Sequence, residues 1–99
     1  PHTAFAVDDE KKTIRFRGQA LDLSRTEYRL LKVLVERPGR VYSRDELMQR
    51  AWDDPASAFD RTVDAHVKGL RAKLRDIDAT VDPIATHRGM GYSLREDLA

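Results

Sequence analysis

The segment from residue 60 to residue 77 carries an apolar stripe at helical spacing, and this stripe limits the possible folds more than any other feature. Apolar side chains recur at steps of four and three, at Val63, Val67, Leu70, Leu74 and Ile77. At roughly 100° per residue, these positions share one side of an α-helix. Such a helix buries its stripe against other elements, so the sequence predicts a long helix packed on a core.

The opposite side of this helix combines small and basic residues. Rotation places there Arg61, Ala65, Lys68, Gly69 and Ala72, with Lys73 and Arg75 at the flanks. Residues 61–75 hold five Lys or Arg against the single acid Asp64. Small side chains allow a helix to approach a ligand closely, and the basic excess favours a negative ligand. The alternative is a solvated amphipathic helix, in which Gly69 would cost roughly 0.5–1 kcal/mol relative to Ala without any benefit.

Length, cysteine content and charge narrow the class of protein. The 99 residues suffice for one domain with one core, and no cysteine is present for disulfides or thiolate zinc sites. No apolar run approaches the roughly 18 residues of a membrane span and no signal peptide is recognisable, so we expect a cytoplasmic protein without a membrane partner. The net charge is only +1. Since residues 61–75 are strongly basic, the remainder of the chain is acidic. This separation of charge indicates a positive electrostatic field directed from one surface, rather than non-specific binding over the whole protein.

The first 23 residues show the alternation of short antiparallel strands. Apolar residues alternate with small or polar ones from Phe5 to Val7, from Ile14 to Phe16 and from Leu21 to Leu23. The polar run 8–12 separates the first two segments and Gly18 precedes the third. This pattern predicts an N-terminal β-meander with one apolar face.

Two helices begin with the same capping signal. Ser24 with Glu27, and Ser43 with Glu46, have the spacing of a capping box. An apolar residue before each cap can pack on the helix as a hydrophobic staple, Leu23 on Tyr28 and Tyr42 on Leu47. Pro38-Gly39 ends the first helix, and residues 40–42 form an extended piece that can pair as a strand.

The second helix is short, with Leu47, Met48, Ala51 and Trp52 on its inward side. A loop follows over residues 53–57, because Pro55 disfavours helix for the residue before it. Either Asp60 or, less favourably, Ser57 then caps the third helix.

The C-terminal region reads as a β-hairpin. Ile84 and Thr86 alternate, Gly89-Met90-Gly91 permits a tight turn, and Tyr92 and Leu94 alternate back. The sequence therefore predicts that residues 1–99 form one α+β domain. This domain is a winged helix-turn-helix with an N-terminal antiparallel β-sheet, three helices and a C-terminal β-hairpin wing. In that fold the third helix enters the DNA major groove and the wing reaches the minor groove or backbone.

Four motifs resemble one family, the winged-helix effector domains of OmpR/PhoB-type response regulators, and are most similar to its catabolic-regulation branch typified by CreB. The motifs are Leu23-Ser-Arg-Thr-Glu-Tyr28, Pro38-Gly-Arg-Val-Tyr-Ser-Arg-Asp-Glu-Leu47, Asp60-Arg-Thr-Val-Asp64 with His66 and Leu70-Arg-Ala-Lys-Leu74, and Arg88-Gly-Met-Gly-Tyr92. The resemblance implies a two-component transcription regulator that pairs on direct repeats of double-stranded DNA. A receiver domain, through which a sensor kinase acts, and its phosphoacceptor aspartate are not recognisable in these residues.

The predicted fold and the family resemblance together indicate which residues we expect to contact DNA. They are Trp52, Arg61, Thr62, Ala65, His66, Lys68, Gly69, Arg71, Thr86, Arg88 and Tyr92. We expect Arg61 and Lys68 to meet phosphates, Thr62 and Ala65 to meet base edges, and Arg88 to enter the minor groove. One departure is Gly69, since some relatives carry a base-contacting basic residue at this position.

Three of these residues have structural alternatives. For Trp52, packing in or at the edge of the core is favoured over a contact with DNA alone. Arg71 either meets a phosphate or forms a salt bridge, with Asp64 or with an acid of the wing. Arg88 would otherwise pair with Asp82 or Glu96.

The resemblance also assigns a second contact, because in relatives the loop between the second and third helices meets RNA polymerase. Its counterparts here are Asp53, Asp54, Ser57 and Phe59. The competing function is therefore a protein-interaction winged helix that contacts RNA polymerase or another regulator, although a basic third helix argues against it as the main role.

Catalytic and metal sites are not indicated. No convergent nucleophile and base are recognisable, so we expect no enzyme and no cofactor. His2, His66 and His87 lack the close spacing of metal ligands. Gly89-Met90-Gly91 lacks the following helix of a phosphate-binding loop, which favours a wing turn.

Overall fold

A computed structural model describes residues 4–54 and 60–98, with the side chains of residues 60 and 61 outside that description. Its elements in chain order are β1 (Phe5–Asp8), β2 (Thr13–Phe16), β3 (Gln19–Ala20), α1 (Arg25–Glu36), α2 (Arg44–Ala51), α3 (Asp60–Ile77), β4 (Ile84–His87), β5 (Gly91–Leu94) and a 3-10 turn (Glu96–Leu98). The predicted winged helix-turn-helix, with its N-terminal sheet and C-terminal hairpin, is confirmed.

The N-terminal sheet is a three-stranded antiparallel meander in the order β1-β2-β3. Phe5 lies opposite Phe16 and Val7 opposite Ile14. Alternation puts these side chains on one face, where the Phe5 and Phe16 rings stack with centroids 4.8 Å apart. The third strand is shorter than the sequence predicted. It ends at Ala20, and Leu21 and Leu23 instead pack on the core from the segment leading into α1.

Both predicted capping boxes are present. Ser24 Oγ accepts from the Glu27 backbone N–H at 3.2 Å, and Glu27 Oε1 accepts from the Ser24 N–H at 2.9 Å. Ser43 and Glu46 exchange the same two bonds, each at 3.1 Å. These contacts satisfy N–H groups that the first helical turn would otherwise leave without acceptors.

The core lies between the three helices, the sheet and the hairpin. Four stripe residues of α3 are buried and Ile77 is partly buried, against leucines of α1 and α2: Val63, Val67, Leu70, Leu74, Leu30, Leu31, Leu34 and Leu47. Asp60 is already helical at the start of the described part of α3, so it is not the cap, and Ser57 lies outside the described residues. None of the described helices is long and apolar enough to cross a membrane.

The extended piece before α2 pairs with the wing, as its sequence allowed. Tyr42 and Tyr92 form an antiparallel bridge with N–H···O distances of 2.8 and 2.9 Å. Further along, the Gly39 N–H donates to the Leu94 carbonyl at 2.8 Å. The hairpin is thereby attached to the segment that leads into the helix-turn-helix.

Candidate nucleic-acid interface

The outer face of α3, opposite its buried stripe, consists of Ala65, Lys68, Ala72 and Arg75, all of which are exposed. The side chains of Lys68 and Arg75 form no hydrogen bond or ion pair with any residue that the structure describes. Thr62 is half-buried at the edge of this face, and the side chain of Arg61 lies outside the described residues. The arrangement presents unneutralised positive charge beside small side chains, as an anionic ligand requires.

The tip of the wing presents a further unpaired cation. Strands β4 and β5 pair from Ile84 opposite Leu94 to His87 opposite Gly91. Arg88 is exposed in the turn and makes no ion pair with Asp82, Glu96 or any other described residue. The structural alternative for Arg88 is therefore not found, while its contact with the minor groove stays a prediction.

Arg71 connects α3 to the wing. Its Nη2 donates to the Ile84 carbonyl at 2.7 Å and to Thr86 Oγ1 at 2.6 Å. Its Nε lies 3.4 Å from an Asp82 carboxylate oxygen, an ion pair without hydrogen-bond geometry. The salt bridge considered with Asp64 is wrong, because Arg71 extends towards the hairpin. Arg71 and Thr86 thus contact each other, and the guanidinium holds the wing in place.

Asp64 is held by two partners that sequence spacing did not indicate. Arg44 Nε donates to its Oδ1 at 2.8 Å, and the Tyr92 hydroxyl donates to the same oxygen. The hydrogen bond from Tyr92, with that from Arg44, holds the pKa of Asp64 below its ordinary value. The only acid among residues 61–75 is therefore neutralised by neighbouring elements.

Tyr92 was expected to contact DNA, but the structure places its side chain beneath the surface. Its side chain is only 5% exposed, and its hydroxyl is directed to Asp64. Burial, followed by the bond to Asp64, raises the pKa of this hydroxyl above its ordinary value. Tyr92 lies beneath the surface because β5 is buried along its whole length between the helices and the segment before α2.

Gly69 and Lys73 lie at the edge of α3 that faces α1. A Cβ at Gly69 would lie 3.2 Å from Glu27 Oε2, and Lys73 Nζ donates to Glu27 Oε1 at 2.6 Å. Burial acts to raise the pKa of Glu27, but bonds from Lys73 and Ser24 outweigh it and hold that pKa low. The absence of a side chain at Gly69 therefore gives room to a carboxylate of α1, while close approach to DNA at this position stays a prediction.

Trp52 and His66 form a contact between the end of α2 and the start of α3. Their rings meet edge to face with centroids 5.2 Å apart, and His66 Nδ1 lies 2.8 Å from the Thr62 carbonyl oxygen. Both side chains are half-buried, in agreement with the packing role favoured for Trp52. Their contacts with DNA stay predictions.

The loop after α2 is connected to α1. Asp53 is exposed and bonds to Arg29, with Arg25 Nη2 3.5 Å away. The bond from Arg29 lowers the pKa of Asp53. Asp54 is also exposed, whereas Ser57 and Phe59 lie outside the described residues. Sequence reasoning missed the two arginines, although their i,i+4 spacing places them together on α1.

Within the described ranges, no group of three or more His, Asp or Glu residues is arranged to hold a metal ion.

Comparisons with known proteins agree with this geometry. Residues 18–94 match the family described as "Transcriptional regulatory protein, C terminal". The transcriptional regulatory protein CreB of Escherichia coli (strain K12) is 50% identical over 91 residues, which are 92% of this chain and 40% of CreB. The chain thus spans about 40% of the length of that relative.

Two solved structures are similar throughout the chain. The DNA-binding domain of response regulator AdeR, in complex with an intercistronic region, has a TM-score of 0.83 and 28% identity, covering 96% of this chain and 97% of that one. The DNA-binding domain of CpxR from E. coli has a TM-score of 0.80 and 32% identity, covering 100% of this chain and 97% of that one.

Proposed function

This chain belongs to the family of C-terminal domains of transcriptional regulatory proteins, and we propose from that premise that it binds specific sequences of double-stranded DNA to control transcription. The match with CreB confirms the resemblance that the four motifs indicated. The family consists of transcription regulators and is not a family of enzymes.

The observation that carries the proposal is the outer face of α3 together with the wing tip. Lys68 and Arg75 are exposed and unpaired within the described residues, and so is Arg88 on a separate projection. A helix with small outer side chains fits the major groove, and an arginine at a hairpin tip fits the narrow minor groove. Support comes from the AdeR domain, a similar fold in complex with DNA.

The nominated residues take different roles in this proposal. Lys68 and Arg61 contact phosphates, while Thr62 and Ala65 face thymine methyl groups. Arg71 and Tyr92 act from within the domain by holding the wing and Asp64. The remaining nominees support the interface from its edges: Trp52, His66, Gly69 and Thr86.

A second role falls to the loop after α2. Asp53 and Asp54 are exposed, and Arg29 fixes Asp53 on the side of α1. We propose that this acidic loop contacts RNA polymerase while α3 binds DNA. A protein-interaction module without DNA binding is less favoured, since it leaves the unpaired cations of α3 and the wing without a function.

We propose that residues 1–99 form the effector domain of a longer regulator, since the chain spans about 40% of the length of CreB. A receiver domain outside these residues would carry the phosphoacceptor and connect the protein to a sensor kinase. Phosphorylation there would promote tandem binding on direct repeats.

Selection from a randomised duplex library tests the proposal. We expect one sequence to be enriched, with affinity falling steeply as salt rises. Lys68→Ala should flatten the log–log salt slope by about one, because one phosphate contact is lost. Lys11→Ala is the matched control, since Lys11 is an exposed lysine in the turn between β1 and β2.

Ala65→Glu should abolish specific binding, because it places a carboxylate on the outer face of α3 against the DNA. Its circular dichroism should remain native, as Ala65 is exposed. Absence of an enriched sequence, or a folded Ala65→Glu variant with normal affinity, would contradict the proposed interface.

A further inference from the structure

Met90 is the exposed large hydrophobic residue of the described chain, with 63% of its surface accessible. A single exposed apolar side chain is common on proteins and by itself indicates nothing. Its location is informative, because turn residues at hairpin tips are usually polar or glycine. Met90 occupies the same three-residue turn as Arg88, separated from it by Gly89.

The hairpin beneath this turn is fixed to the rest of the domain. A Cβ at Gly91 would lie 1.9 Å from the Tyr42 carbonyl oxygen, so the base of the wing approaches the segment before α2 as closely as only glycine permits. The Met90 N–H donates to the His87 carbonyl at 2.8 Å and closes the turn. Arg88, Gly89 and Met90 are all exposed, so they project together from a rigid support.

We propose that Met90 is a further DNA-contact residue, which packs its thioether side chain against the deoxyribose walls of the minor groove that Arg88 enters. This inference rests on the proposed function and adds an apolar contact to it. Minor-groove proteins use apolar side chains, Met among them, against sugars and base steps. The methionine side chain is also flexible, so it can adapt to the irregular surface of a groove.

Three substitutions, measured on the duplex obtained by selection, test this contact. Met90→Ala should weaken binding about fivefold, the size expected when part of a methionine side chain no longer leaves water. Met90→Gln, similar in length but polar, should lose at least as much, whereas Met90→Leu should bind almost as wild type. The salt slope should be unchanged in all three, because no phosphate contact is lost.

Oxidation gives an independent readout. The chain has two methionines, and Met48 is only 7% exposed, so mild peroxide should convert Met90 first. The polar sulfoxide should lower affinity as Met90→Gln does, and methionine sulfoxide reductase should restore it. Peroxide should leave the affinity of Met90→Leu unchanged.

Arg88→Ala and Lys68→Ala, measured beside these variants, separate the two proposals. If Met90→Ala and Met90→Gln bind as wild type while Arg88→Ala is weakened, the Met90 contact is overturned and the proposed function stands. A flattened salt slope for Met90→Ala would also overturn it, since the loss would then be electrostatic. If Arg88→Ala and Lys68→Ala are also without effect, α3 and the wing are not the interface and both proposals fail.

Discussion

Replacing Arg71 by Ala should loosen the wing from α3 and lower stability, without removing a phosphate contact. In the folded domain the Arg71 guanidinium is directed to the wing, with two hydrogen bonds to Ile84 and Thr86 and an ion pair with Asp82. Its side chain is 22% exposed, so water replaces these bonds only partly. We therefore expect the stabilising role of Arg71 to outweigh a phosphate contact.

The size of the effect follows from these contacts. A hydrogen bond from a charged donor contributes about 1.5–3 kcal/mol, and an exposed ion pair such as that with Asp82 contributes about 0–1 kcal/mol. Thr86 is exposed and regains a bond to water, which reduces the net loss to roughly 2 kcal/mol. For a domain of this size, that loss lowers the melting temperature by about 10 °C.

Thermal melts, amide hydrogen exchange in β5 and the salt slope of DNA binding together measure the outcome. For Arg71→Ala we expect a lower melting temperature, faster exchange in the wing, weaker DNA binding and an unchanged salt slope. Arg71→Lys should also lose stability, because one ammonium cannot replace the planar guanidinium. Lys68→Ala, the matched control, should show the reverse: native stability and a flattened slope. A stable Arg71→Ala variant with a slope flattened by about one would refute this reasoning and favour a phosphate contact.

Three further variants test neighbouring features. Gly69→Ala should stabilise the domain by about 0.5 kcal/mol, measured by urea unfolding, because Ala favours helix and the Glu27 carboxylate can shift to make room. DNA affinity should be unchanged, and a reduced affinity would show that DNA binding needs the glycine. Tyr92→Phe should cost about 1–2 kcal/mol at pH 7 by removing a hydrogen bond to Asp64. That bond lowers the pKa of Asp64, so its contribution to stability is present above the unfolded pKa of about 3.9 and is lost as pH falls through the lower folded value. A difference in unfolding free energy between wild type and Tyr92→Phe that stays constant down to low pH would contradict the assignment. Replacing Asp53 and Asp54 together by Ala should reduce transcription in vitro at saturating regulator with unchanged DNA affinity, and equal transcription would make the loop a simple connector.

Local signals in the sequence predicted the elements well. A capping box involves residues three apart, so Ser24 and Ser43 define the starts of α1 and α2 without reference to the rest of the fold. The stripe of α3 is likewise local, because the helical period alone decides which side chains share its buried side. Strand alternation also placed Tyr92 with Leu94, and this was the signal that could have identified Tyr92 as buried.

Tertiary contacts decided what the sequence could not. A helical period gives the angle of a side chain around α3 but not which neighbour covers each edge. Gly69 therefore appeared to belong to the outer surface, although Glu27 of α1 lies against it. The partnership of Arg44 with Asp64 joins residues 20 positions apart, a separation at which no local pattern operates.

The same contacts divide the basic residues of α3 whose side chains are described into a paired group and an unpaired group. Lys73 and Arg71, at the two edges, are paired with Glu27 of α1 and with Asp82 before β4, and a paired cation contributes little to the field outside the domain. Lys68 and Arg75 remain unpaired among the described residues, as does Arg88 on the wing. Among the described side chains, the positive field that would face DNA in the proposed complex therefore comes from fewer charges than the sequence suggests. Loss of a single unpaired cation should consequently weaken DNA binding more than its share of the formal charge would indicate.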